Sequence, residues 1–153
     1  MNEKEKYMKL ALNFANKAKD LNEVPIGAVV VRNGKVIARG YNTRLKTQNA
    51  INHAEIIAIS KACKKLNSWR LEDCDIYVTL EPCPMCVGAI LNARINNLFF
   101  GAYDKTSSDN ILNLIVNSKR LNHNLNVQGG ILENECSKII TNFFEEKRKN
   151  QKK

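Results

Sequence analysis

Cys83-Pro84-Met85-Cys86 places two thiols three residues apart, directly after the strand-like run Asp75-Ile76-Tyr77-Val78-Thr79. The spacing reads as half of a metal site. A proline between the thiols suits the first turn of a helix, where its missing N–H costs nothing and its fixed φ is already helical. Cys83 then stands at the helix entrance, where free N–H groups and the positive end of the dipole favour thiolate, the form that binds metal. Two thiolates are too few for zinc. His53-Ala54-Glu55 lies upstream, ahead of an apolar helical run, and the chain holds only one other histidine, His123. One histidine and two cysteines make three protein ligands, the count of a catalytic zinc that keeps its fourth position for water; closed structural sites use four. Glu55, two residues from the histidine, would reach that water without binding the metal.

H-x-E followed by P-C-x-x-C is an established signature of zinc-dependent deaminases, with the glutamate as proton shuttle, and the pattern here is a match to that known signature. His53-Ala54-Glu55 together with Tyr77-Val78-Thr79-Leu80-Glu81-Pro82-Cys83-Pro84-Met85-Cys86 resembles the bacterial tRNA-specific adenosine deaminases of the cytidine deaminase-like superfamily. Val24-Pro25-Ile26-Gly27-Ala28-Val29, Ser68-Trp69-Arg70-Leu71, Phe100-Gly101-Ala102 and Asn122-His123 are similar to that family's pattern as well. The likeness runs from about residue 5 to about residue 148.

This resemblance implies zinc held by His53, Cys83 and Cys86, with Glu55 as the catalytic carboxylate. It implies substrate contacts at Asn42, Ala54, Asp104, Asn122 and His123. It also implies a tRNA anticodon stem-loop as partner and a homodimer, for which the Gly88-Ala89 stretch is a contact candidate. The loop from Ala102 to Asn110 departs from the family pattern, being shorter and free of glycine.

The elements that must position these residues follow from periodicity. Tyr7, Leu10, Ala11, Phe14, Ala15 and Ala18 form a 3.6-period stripe over residues 3 to 19, hence a surface helix. Pro25 to Val31 reads as a strand apolar on both faces, Asn33-Gly34 as a tight hairpin turn, and Lys35 to Tyr41 as its antiparallel partner. Gly27 marks a place where something approaches the backbone closely. Residues 43 to 52 read as loop, and Ala54, Ile57, Ala58, Ala62 and Leu66 mark a second helix. Asn52-His53-Ala54-Glu55 also reads as an N-cap with glutamate at the third helical position, a capping box. The downstream cysteine pair favours the shuttle, because a cap does not call for a matching half-site after the next strand. A third strand leads to the Cys83 helix, Asn97 to Gly101 gives a fourth strand, Val127 lies in a fifth, and Cys136, Ile139, Ile140, Phe143 and Phe144 stripe a terminal helix. The expected fold is α/β, a three-layer α/β/α sandwich around a five-stranded mixed sheet.

The 153 residues fit one domain, with a basic run over about 147–153 as a C-terminal tail. No apolar run is long enough for a membrane span and the N-terminus lacks the apolar core of a signal peptide, so a cytoplasmic protein is expected. Five cysteines are an odd count for a disulfide framework. Cys63, Cys74 and Cys136 read as small buried hydrophobes. A formal charge of +9, from 24 Lys plus Arg against 15 Asp plus Glu, favours a polyanion partner. Lys147, Arg148, Lys149, Lys152 and Lys153 are the nearest candidates for phosphate contacts.

Zinc and Glu55 would fix the reaction class, hydrolytic deamination, and not the base. Adenosine in tRNA, converted to inosine at the wobble position, is the leading reading by resemblance. A deaminase of a free base or nucleotide, of guanine or cytosine type, stands beside it. From a different class, a zinc-stabilised RNA-binding module without catalysis would explain the charge and the cysteines, but it predicts a fourth protein ligand and leaves Glu55 unexplained.

Overall fold

Alternation decides the layers. Along β1 (Gly27–Arg32), Ala28 and Val30 belong to one buried cluster and Val29 and Val31 to another; Ile76 and Val78 part from Tyr77 in β3 (Cys74–Leu80), and Leu98 and Phe100 from Phe99 in β4 (Asn97–Ala102). Successive side chains of a strand point to opposite faces, so a sheet apolar on both must be covered on both. α1 (Glu3–Asp20) and α6 (Glu133–Gln151) cover one face. The other is covered by α3 (Ala54–Leu66), α4 (Pro84–Asn92) and α5 (Ile111–Val116), which contribute Ala54, Ala58, Val87, Ile90, Leu91 and Leu112 to the core.

With β2 (Lys35–Tyr41) and β5 (Asn126–Gln128), the sheet runs β2-β1-β3-β4-β5. β1 is antiparallel to both β2 and β3, whereas β3, β4 and β5 are parallel. This is the mixed five-stranded sandwich expected of a cytidine deaminase-like fold. The computed structural model describes residues 1–106, 111–118 and 123–151.

The Asn33-Gly34 turn has both residues at positive φ, 52° and 74°, the hairpin geometry that the dipeptide calls for. Two elements differ from expectation. Residues 44–47 form a single helical turn, α2 (Arg44–Thr47), inside the stretch read as loop, and α5 has no counterpart among the expected elements. The basic run at the end continues α6 through Gln151 instead of leaving the helix, with Lys147 Nζ 4.9 Å above the Phe143 ring. Lys152 and Lys153 lie outside the described residues.

The register brings one edge of the sheet to a focus. Gly27 pairs with Tyr41, Ala28 with Val78, and Leu80 with Ala102, so the end of β2, the start of β1 and the ends of β3 and β4 meet there. Thr79 is fully buried, and its Oγ1 accepts from Gly27 N–H at 3.2 Å. A Cβ on Gly27 would collide with the α1 backbone at Ala11 and Ala15, the close approach expected at that glycine. Gly40 does the same for α3: a Cβ there would overlap Ala54 O and stand 2.8 Å from Ala58 N. These atoms belong to the first turn of α3, the turn that follows His53. Gly40→Ala is therefore expected to cost about 1–3 kcal/mol, as overpacking against backbone does. It should also loosen any metal held through His53, because the α3 entrance must move. Thermal melts with zinc analysis check this, and an unchanged Tm with full zinc would mean that α3 yields freely.

Candidate metal centre and catalytic pocket

His53 and Cys83 occupy the same place in two different helices. Each is an N-cap with extended backbone, φ −75° and ψ 156° for His53, φ −70° and ψ 167° for Cys83. Pro84 follows Cys83 at the first helical position, which leaves Cys86 one turn further on the same side. α3 and α4 thus aim their N-termini at one point beyond the end of β3. There His53 Nδ1 lies 3.7 Å from Cys83 Sγ and 3.6 Å from Cys86 Sγ, and the three ligand atoms all lie within 4.8 Å of one another. Bonds of about 2.1 Å to nitrogen and 2.3 Å to sulfur at a tetrahedral angle would set nitrogen and sulfur about 3.6 Å apart. The residues present fit zinc in spacing and in donor type. Among the described residues no fourth histidine, cysteine or carboxylate joins the group.

The electrostatics of the cluster follow from its contacts. Hydrogen bonding from Cys86, and secondarily from His53, brings the Cys83 pKa down to about 4 against the opposing effect of burial. The hydrogen bond to Cys83, with burial, pushes the Cys86 thiol far up. His53 is raised, chiefly by its hydrogen bond to Cys83.

Glu55 is buried, 4% exposed, and burial is the main reason that its pKa rises to about 7. Its Oε1 has no hydrogen-bond partner among the described residues. An orphaned carboxylate oxygen in a buried position is costly unless something is meant to meet it. The capping box is not what it meets. The N-cap is His53 and not Asn52, so Glu55 falls at the second helical position, and no side chain caps this end of α3. Asn52 instead donates through Nδ2 to Thr47 Oγ1 at 2.7 Å.

Beside the cluster lies a pocket of about 130 Å³ lined by Val24, Ile26, Asn42, Arg44, His53 and Ala54. Asn42 and Ala54 are thus brought to the candidate ligands. The Asn42 amide donates to Val24 O at 3.3 Å and accepts from Arg44 N–H at 3.2 Å, which leaves one N–H and one lone pair for a base edge. A second cleft of about 330 Å³ adjoins it through Val24 and is walled by Leu80, Tyr103, Asp104, Ile140 and Phe144, among others. Asp104 is held there by its N–H, which donates to Glu81 Oε1 at 3.0 Å, and its Oδ1 accepts from Thr106 N–H at 2.9 Å.

His123 is not brought to this edge. Its Nε2–H donates to Ile95 O at 2.7 Å, at the start of β4 and so a strand length, about 20 Å, from the metal cluster. This bond ties the segment at His123 to the residue just before β4. Asn122 lies outside the described residues.

Two carboxylates near the site make contacts that the sequence does not foretell. Glu23, 1% exposed, accepts from Leu45 N–H and Lys46 N–H, and Glu81 anchors the Asp104 loop. Neither contact leaves a local signal, because the partners are about twenty residues away. The remaining cysteines behave as small hydrophobes: Cys74 and Cys136 are buried, and Cys63 packs partly buried against the core. Burial raises the Cys136 thiol to about 12.

The model of the MafB19-like deaminases matches residues 2–148. The chain belongs to this family. It is 47% identical to the tRNA-specific adenosine deaminase of Bacillus subtilis over 154 aligned residues, 99% of this chain and 95% of that protein. A solved structure from biochemical and structural studies of A-to-I editing by tRNA:A34 deaminases at the wobble position of transfer RNA superposes with a TM-score of 0.81. It is 40% identical and covers 87% of this chain and 97% of the other. The guanine deaminase of Bacillus subtilis is 41% identical with a TM-score of 0.63, over 67% of this chain and 66% of that one. The likeness to tRNA-specific adenosine deaminases read from the motifs thus extends over nearly the whole chain.

Proposed function

We propose that this protein is a zinc-dependent hydrolase, a single catalytic domain that converts adenosine to inosine in tRNA at the anticodon wobble position. The observation that carries the chemistry is the meeting of His53, Cys83 and Cys86 beside the buried, unpartnered carboxylate oxygen of Glu55. The likeness to the Bacillus subtilis tRNA-specific enzyme over 99% of this chain, against two thirds for the guanine deaminase, supports RNA over a free base. The charge of +9 points the same way.

His53, Cys83 and Cys86 would hold the metal. Zinc, when bound, supplies the Lewis acidity that makes hydroxide available from water near neutral pH. Glu55 takes the proton from the attacking water and delivers it to N1 of the adenine ring as the C6–O bond forms. A second transfer through the same carboxyl, from the new C6 hydroxyl to the exocyclic nitrogen, lets the C6–N bond break, so that C6 becomes a carbonyl and ammonia leaves. A carboxyl whose pKa lies near 7 can both accept and return a proton at neutral pH. The free N–H and lone pair of Asn42 orient the base, and Ala54 lines its pocket.

The anticodon stem-loop would reach the site across the edge where Asp104 and Tyr103 wall the second cleft. No helix among the described residues is long and apolar enough to cross a membrane, and the free thiols suit the cytoplasm, where tRNA is found. A homodimer through α4 is supported by Met85, 37% exposed, and by the open space beyond Gly88.

The zinc-loaded protein should form inosine in an anticodon stem-loop carrying adenosine at the wobble position, and should leave guanine and cytidine unchanged. Turnover of guanine with an untouched stem-loop would replace this reading with the free-base one. Zinc without turnover of any of the three would leave the RNA-binding module.

A further inference from the structure

Glu23 presents a physical problem that the reaction does not solve. It is the most buried carboxylate among the described residues, 1% exposed, and it forms no ion pair with any of them. Burying a carboxylate without a cation is costly unless hydrogen bonds compensate. Both oxygens are spent on one exposed turn, where Oε1 accepts from Leu45 N–H at 3.0 Å and Oε2 from Lys46 N–H at 2.8 Å. Further bonds stiffen the same stretch: Thr43 N–H donates to Asn52 O at 3.1 Å, Arg44 N–H to Asn42 Oδ1 at 3.2 Å, and Asn52 Nδ2 to Thr47 Oγ1 at 2.7 Å. The segment between Asn42 and His53 is therefore tied at both ends and in the middle.

The side chain presented by this fixed turn is that of Arg44. It is exposed, and its guanidinium has no hydrogen bond or ion pair among the described residues. It nevertheless lines the pocket formed with Asn42, His53 and Ala54, near enough for its charge to act on His53. A nucleotide within RNA carries a phosphate on either side of its ribose, so a base seated in this pocket leaves phosphate at the mouth. A fixed guanidinium fork is well matched to a phosphate.

We propose that Glu23 is a positioning residue that locks the 43–52 turn so that Arg44 holds a phosphate adjoining the target adenosine. This rests on the tRNA reading above and adds to it the means by which the pocket prefers a nucleotide in RNA to a free nucleoside, which lacks that phosphate.

The test compares zinc-loaded wild type, Arg44→Gln, Glu23→Gln and the double variant for kcat and KM on the stem-loop over a range of salt. Loss of one charge-assisted contact should raise KM about ten-fold in Arg44→Gln. It should also make the slope of log KM on log salt shallower by about 0.7, one single-strand phosphate. Glu23→Gln is expected to give the same shallower slope, since an amide can accept from one N–H but turns its NH₂ on the other. The double variant should be no shallower than either single one.

A role of Glu23 in stability alone would lower Tm and leave the slope intact, and that result overturns the proposal. An unchanged slope in Arg44→Gln overturns it too, whatever Glu23 does. Should Glu23→Gln fold poorly, Glu23→Asp keeps the charge but is a methylene too short to reach both amides, and the same slope is expected of it. Wild-type protein that makes no inosine overturns the tRNA reading itself, a result distinct from wild-type turnover with an unaltered Arg44→Gln slope.

Discussion

Glu55→Gln is expected to leave a folded, zinc-loaded protein that binds the stem-loop and forms inosine at least about a hundred-fold more slowly than wild type. General acid–base catalysis is commonly worth ~10²–10⁴-fold, and an amide neither accepts nor returns a proton near neutral pH. The substitution keeps the shape and removes a charge from a buried position. Since burial is what raises the Glu55 pKa, the folded state gains little from the ionised form, and stability should be held or slightly increased. The alternative account of Glu55 as a helix cap has lost its geometry: His53 is the N-cap, and no side chain caps that end of α3. The effect should therefore fall on kcat, with KM little changed, the pattern of an interaction needed only as the reaction proceeds. Near-wild-type turnover with zinc still bound would remove Glu55 from the chemistry and leave its orphaned oxygen unexplained.

What the sequence reveals, and what it hides, divides along the range of the contacts. Cys83, Pro84 and Cys86 are legible because one helical turn fixes their relation, with Pro84 at the first position. Asn33-Gly34 is legible because two positive φ values are a property of two adjacent residues. Glu23 reads only as part of a helix break, since its partners Leu45 and Lys46 are brought to it by the β1–β2 hairpin. Gly40 is silent for the same reason: what it accommodates is the backbone of α3.

Resemblance extends the reading to the pocket and places Asn42 and Ala54 beside His53, where they are found. It implies a pocket-wall or RNA contact for His123, whose Nε2 donates to Ile95 O just before β4. The terminal run reads from the sequence as a basic tail that follows the helix. Yet Glu145, Glu146, Lys147, Arg148 and Lys149 are all good helix formers, with Glu145 and Lys149 one favourable i,i+4 step apart. Once Phe143 is buried, nothing stops α6 before Gln151.

Cys83→Ala should abolish zinc binding and inosine formation together and lower the melting temperature. With only three ligands assembled, loss of one leaves a histidine and a single thiol, too few to retain zinc against a chelator. The instability has a separate source. A metal that prefers the folded chain would contribute up to RT ln(1 + [Zn]/Kd) to wild-type stability, about 4 kcal/mol at a thousand-fold excess over Kd and less to the extent that unfolded Cys and His bind it. Wild type stripped by a chelator should therefore melt near the temperature of Cys83→Ala. Adding zinc back should raise the melting temperature of wild type and leave the variant unmoved.

Cys136→Ala separates this from a general intolerance of cysteine loss. Cys136 is buried against Gly101, so the change opens a small void costing roughly 1 kcal/mol or more. Its thiol lies outside the metal group, and zinc content and its stabilising increment should both survive. Full zinc occupancy in Cys83→Ala would mean that another side chain completes the site, and with it the assignment of His53, Cys83 and Cys86 as the ligand set would fall.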